Sequence, residues 1–232
     1  MEKDETPNNL DYLIYPFFIM LAMWAVFWYD DQYLMEWYVH GLYPRKISGL
    51  QGILFGSFLH GSLEHLINNS LAVFILSASL FYFYRKLSFP IVLWSLTLPF
   101  LFTWFYGRPS FHIGASAYIY ALASFLFFSG IWRKNRYLAS LSLLVVFLYG
   151  SLIWGLFPME DGVSWEAHLS GGLVGLILSL FYRNKGPQST QYIWPEEEYE
   201  DLLVVDWQEI GEDEPQELPI VYHYKEQEKN RP

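Results

Sequence analysis

The sequence predicts an all-α membrane protein, a bundle of six spanning helices, on three observations. Hydrophobic residues make up 53% of the 232 and aromatics 20%, while charged residues are only 16%, against about 25% charged in a typical soluble domain. Six stretches qualify as spanning helices, each of which needs ~20 mostly apolar residues. Segments such as 91–105 and 141–154 also lack a polar face, and a helix on the surface of a soluble protein keeps one toward water.

The low isoelectric point, about 5.0, belongs to one end of the chain. Residues 186–232 hold 13 acids and 3 bases, which leaves 11 of each in residues 1–185. No basic face suggests nucleic acid as a partner. There is no cysteine, so disulfides, thiolate nucleophiles and cysteine-bound metals are all excluded. Three parts are expected: a short cytoplasmic N-terminus over 1–10, a membrane domain over 11–185, and an acidic, largely flexible cytoplasmic tail over 186–232. In that tail Trp194 and Trp207, with the apolar run 202–205 between them, offer a candidate partner motif.

The first span, 11–29, follows the acidic stretch Met1-Glu-Lys-Asp-Glu-Thr-Pro. A signal peptide needs a basic flank and a small-residue cleavage site, so this run reads as retained. It ends at Asp30 and Asp31. The second span, 57–84, is long enough to tilt or to begin outside the hydrocarbon. The third, 88–106, ends at Gly107-Arg108-Pro109. The fourth, 114–132, and the sixth, 165–182, are short and rich in small residues. Between them lies the fifth, 136–157, closed by Asp161-Gly162. Arg85, Lys86, Arg133, Lys134, Arg136, Arg183 and Lys185 follow the even-numbered spans, whereas Arg45, Lys46 and Arg108 lie on the other side. The richer side is expected to be cytoplasmic, with both termini there. Trp104 and Tyr106 read as part of an interfacial aromatic belt.

Polar side chains inside a bilayer are costly and commonly functional. His65 and Asn69 share a face of the second span, four residues apart. Ser116 opens the fourth span in Gly114-Ala115-Ser116-Ala117. His168 opens the sixth, ahead of Gly171 and Gly175. Asn69, Ser116 and His168 precede the basic residues that close their spans by 16, 17 and 15 positions. At ~1.5 Å per residue they lie at one depth, roughly 22–25 Å above the inner margin.

A serine hydroxyl becomes a nucleophile when a base takes its proton, and histidine is the usual base near neutral pH. The tetrahedral intermediate then needs donors aimed at its oxyanion. The Asn69 amide and the Ser116 backbone N–H are suitable, and His65 could add one. Gly171 and Gly175 form a small-xxx-small pair that lets a neighbouring backbone approach closely.

These residues resemble the rhomboid family of intramembrane serine proteases. Leu59-His60 through Glu64-His65 to Asn68-Asn69 resembles its second-helix motif, Gly114-Ala115-Ser116 its nucleophile motif, and Ala167-His168 with Gly171 and Gly175 its sixth-helix motif. The resemblance spans about 10–185. It implies a rhomboid-like fold and a Ser–His dyad without a catalytic Asp. Ser116 would be the nucleophile and His168 the general base. Asn69, His65 and the Ser116 amide would line the oxyanion hole, Gly114 would allow the tight path beside the nucleophile, and Tyr120 would pack on the catalytic histidine. His60 would be structural. Transmembrane proteins would be the substrates, the lipid bilayer the medium, and no metal or cofactor would be needed; His-Glu-x-x-His is absent.

Two departures stand out. Ala117 replaces the family's glycine after the serine, and the extra methyl is expected to narrow the site or shift the helix start. Gln51-Gly-Ile-Leu-Phe stands where many members carry Trp-Arg, leaving the anchor of the first loop open. His112 is expected in the wet outer loop, and Glu64 and Glu166 are expected to face water or headgroups.

Overall fold

The computed structural model describes residues 10–158 and 162–188. The expectations for 1–9, the acidic tail beyond Gln188 and Asp161 lie outside the described residues. Among those described, every regular element is helical, joined by one antiparallel bridge between Leu42 and His112. In chain order they are α1 (Asp11–Tyr33), the short α2 (Gly52–Phe55), α3 (Leu63–Phe83), α4 (Ser88–Tyr106), α5 (Ser116–Trp132), α6 (Arg136–Tyr149) and α7 (Trp165–Phe181).

Three helical stretches, Tyr12–Tyr33, Leu63–Phe83 and Arg85–Tyr106, are long and apolar enough to cross a membrane. Shorter apolar helices follow: α5 and α7 have 17 residues each and α6 has 14. At ~1.5 Å per residue these reach about 21–25 Å, short of a ~30 Å hydrocarbon core. Other boundaries also differ from the sequence expectation. Asp30 and Asp31 do not stop α1, which continues to Tyr33 and ends where Leu34 turns left-handed (φ 50°). Instead Asp30 Oδ1 accepts the Trp37 backbone N–H at 3.0 Å. The helix of the second span, α3, begins only at Leu63, because Gly56–Phe58 is a 3-10 turn and Ser62 caps the helix by accepting from the His65 N–H. The fifth apolar stretch is α-helical to Tyr149 and then tightens into a 3-10 segment, Gly150–Leu156.

The core is apolar. Leu66, Val73, Leu76 and Leu80 of α3, Tyr118, Leu122, Phe125 and Leu126 of α5, and Val174 and Leu178 of α7 are buried in one cluster. Small residues set the closest contact, between α5 and α7. A Cβ on Gly171 would strike the Ala117 carbonyl, and one on Gly175 would strike the Ala121 carbonyl. The Ser124 hydroxyl donates to the Gly172 carbonyl at 2.7 Å across the same seam. With small residues there, backbone meets backbone, and the residues opening both helices are drawn together.

The first loop lacks the Trp-Arg pair but is anchored by other means. Leu42 and His112 exchange both backbone hydrogen bonds, at 3.0 and 2.8 Å. Arg45 Nη1 donates to the Gly107 carbonyl at 2.9 Å, and Trp104 Nε1 donates to the Lys46 carbonyl at 3.0 Å.

Candidate active site

Ser116 is the first residue of α5, so its backbone N–H is among the four that an α-helix leaves without an internal partner. The chain arrives there through Gly114, whose φ of +104° suits glycine. A side chain on Gly114 would also run into the His65 ring. Gly114 N–H donates to the Gly56 carbonyl at 2.9 Å, tying this turn to the 3-10 turn ahead of α3.

His168 lies in the first turn of α7 and is 7% exposed. Its Nε2 is 2.8 Å from Ser116 Oγ, and its Nδ1 is 2.9 Å from the Gly155 carbonyl oxygen. A carbonyl can only accept, so Nδ1 carries the hydrogen. Nε2 is left with its lone pair, and the Ser116 hydroxyl donates to it. The arrangement leaves a base next to a hydroxyl, in the tautomer that proton removal needs. The Tyr120 ring stacks on the imidazole, with centroids 4.3 Å apart and planes 9° from parallel. Gly155 fits against both rings, since a Cβ there would collide with the Tyr120 hydroxyl.

Asn69 is buried, and its amide nitrogen donates to His60 Nε2 at 3.1 Å. His60 Nδ1 in turn donates to the Phe58 carbonyl at 3.2 Å, which fixes Nε2 as an acceptor. Ala115 N–H also points at that nitrogen, at 3.5 Å. His60 therefore orients the Asn69 amide and the residue before Ser116 together. His65 stands edge-on to His60, ring centroids 5.0 Å apart, and covers Gly114. The structure thus brings Ser116, His168 and Tyr120 into direct contact, and sets Asn69 and His65 beside Gly114.

Ala117 is buried in a small apolar cluster with Leu42, Phe100 and Ala167, and α5 starts at Ser116. Two expectations are corrected. His112 is 1% exposed rather than in water: Nε2 donates to the Arg108 carbonyl at 3.1 Å and Nδ1 accepts from the Ser164 hydroxyl. Burial holds its pKa below the ordinary 6.5. Glu166 is likewise buried, at 2% exposure, while Glu64 is exposed. Among the described residues no group of three His, Asp or Glu side chains is placed to hold a metal.

Sequence reasoning missed Gly155, whose contribution is a main-chain oxygen that no motif records. It also left His60 without a partner, although the nine-residue offset to Asn69 reaches from the irregular stretch before α3 to the helix's second turn.

Long apolar helices around a buried histidine hydrogen-bonded to a half-buried serine define an integral membrane protein with a polar centre. The Rhomboid domain family matches residues 48–185, and the chain belongs to the rhomboid family. Its relatives include an uncharacterized protein of Mycobacterium tuberculosis and one of Mycobacterium bovis, each 32% identical over 150 residues, covering 60% of this chain and 62% of theirs. An uncharacterized protein of Mycobacterium leprae is 26% identical over 151 residues, covering 60% and 58%. The chain therefore spans less than two thirds of the length of these relatives.

Proposed function

We propose that this protein is an intramembrane serine endopeptidase that cuts transmembrane segments of other membrane proteins with a Ser116–His168 dyad. The observation that carries the reading is the 2.8 Å contact between Ser116 Oγ and a His168 Nε2 kept as an acceptor by the Gly155 carbonyl. Ser116 Oγ attacks the scissile carbonyl carbon and its proton passes to His168 Nε2. The C–N bond then breaks as His168 gives that proton to the leaving amine, leaving an acyl-enzyme on Ser116. Water, deprotonated by His168, attacks the ester and frees the acid. The Ser116 backbone N–H and the Asn69 amide, with His65 beside them, stabilise the oxyanion. Tyr120 holds the imidazole plane.

In this reading α1, α3, α4, α5, α6 with its 3-10 extension, and α7 are six membrane crossings of a rhomboid domain over 11–185. The two short dyad helices start below the outer surface, where water reaches Ser116. The seven basic residues that close α3, α5 and α7 face the cytoplasm of a bacterial plasma membrane. The acidic tail is a cytoplasmic appendage that hydrolysis does not need. A substrate helix must unwind to offer its carbonyl, so segments with Gly, Ala or Pro near the outer face are preferred, and Leu in their place slows cleavage.

A serine-directed fluorophosphonate tests the reading. Labelling of the wild type that is lost in Ser116→Ala and kept in Ser110→Ala supports it. A wild type that takes no label points instead to a client-binding protein without catalysis.

A further inference from the structure

Glu166 is a carboxylate buried two residues before His168. Its Oε1 accepts the Arg108 backbone N–H at 3.2 Å and lies 3.7 Å from Arg108 Nε. Its Oε2 has no hydrogen-bond partner among the described residues. A buried, half-satisfied carboxylate is costly to keep, and no motif of the dyad accounts for it.

We propose that Glu166 is a positioning residue that, through Arg108, registers the loop leading into Ser116 against the helix turn bearing His168. The proposal rests on the protease reading above. Arg108 opens the segment that ends, eight residues later, at Ser116. Several further bonds join the same two pieces of chain. Arg108 Nη2 donates to the Val163 carbonyl. The His112–Ser164 bond ties the middle of the loop to the residue that caps α7, where Ser164 Oγ accepts the Ala167 N–H at 3.3 Å. At the end of α4 the Tyr106 hydroxyl donates to the Glu166 carbonyl at 2.6 Å, and it lies 2.9 Å from Ser170 Oγ. The Glu166 carbonyl and the Ser170 hydroxyl meet α4, while Gly171 and Gly175 face α5. The first turn of α7 is thus held on two sides, with His168 between. Neither Arg108 nor Glu166 belongs to the three motifs, yet their contact fixes how far the nucleophile's approach stands from the base's helix.

The test measures kcat and KM for cleavage of a transmembrane substrate, with the fluorophosphonate labelling rate, in detergent well below the thermal midpoint of each variant. Glu166→Ala is expected to lower kcat and labelling together, on the order of 10- to 100-fold, as a misplacement of about 1 Å does, with KM little changed. Glu166→Gln keeps an acceptor for the Arg108 N–H and is expected to recover much of the rate. Wild-type kcat in a folded Glu166→Ala overturns the proposal, as does a loss that Gln fails to relieve or that merely follows the fraction of protein folded. A wild type that does not cut at all is a separate result: it removes the protease reading, and this proposal with it.

Discussion

At the scale of single residues, the candidate site is a matter of which ring nitrogen carries a hydrogen. His168 spends Nδ1 on the Gly155 carbonyl and keeps Nε2 for Ser116; His60 spends Nδ1 on Phe58 and keeps Nε2 for Asn69. In both cases a main-chain oxygen does the sorting, the task that a carboxylate performs in a triad. Gly155→Ala would push a methyl into the Tyr120 hydroxyl. It is expected to cut kcat on the order of 100-fold while the fold survives, measured as cleavage beside a thermal midpoint. His112 gives a pH signature. Its native pKa lies below 6.5 through burial, so as pH falls below that value the unfolded chain takes a proton that the native state refuses. Stability that is constant above the ordinary histidine pKa is lost as pH drops toward the native one. Arg108 and Glu166 face the same ring, so the comparison is made against His112→Gln. The thermal midpoint of the wild type should fall more than that of the variant between pH 7.5 and 5.5, and equal falls would contradict the assignment. The nearness of Ser116 to His168 is expected from their matching depth, and the stacking of Tyr120 on His168 from the family resemblance alone. Gly155 is not legible in the sequence, because its working atom is common to every residue. Glu166 and His112 misled because charge and loop position suggest water, and burial is decided by chain segments more than fifty residues away.

At the scale of elements, the seam between α5 and α7 sets the distance from nucleophile to base. Gly171→Val and Gly175→Val each force a branched side chain against backbone carbonyls. Overpacking of that kind costs about 1–3 kcal/mol, read as a lowered thermal midpoint in detergent. The two should differ in activity. Gly171 abuts Ala117 and the Tyr120 Cβ, next to the dyad, whereas Gly175 meets Ala121 and Ser124 a turn below. The Gly171 variant should therefore lose more kcat than its stability loss explains, and the Gly175 variant should not. Element type was plain from apolar runs without polar faces. Element ends were less so. The chain from 57 to 62 is a 3-10 turn and a cap, and α3 starts only after Ser62, while the tightening at Gly150 leaves no mark in hydropathy. The acidic pair Asp30-Asp31 looked like a stop, but a helix bears solvent-facing acids until a left-handed residue ends it.

At the scale of the molecule, the two helices of the dyad are tied again at their opposite ends. Arg133, 4% exposed, follows α5 and donates to the carbonyls of Tyr182 at 2.8 Å, Arg183 at 2.9 Å and Lys185 at 2.6 Å beyond α7. Its Nε bonds Ser129 Oγ at 2.9 Å. Read from sequence it is one of seven loop cations that orient the chain, and composition cannot tell a free cation from one spent on helix-end carbonyls. Arg133→Gln leaves carbonyls unpaired at about 1–3 kcal/mol each where buried. It is expected to lower the thermal midpoint more than Arg136→Gln, and equal effects would contradict the tie. The central claim is that the Ser116 hydroxyl and the His168 imidazole, brought from two helices into contact, hydrolyse peptide bonds within membrane-spanning segments. The most direct measurement is cleavage of a purified transmembrane substrate in detergent by wild type, Ser116→Ala and His168→Ala, with EDTA present. The account predicts cutting by the wild type alone; products from Ser116→Ala, or none from a folded wild type, would contradict it.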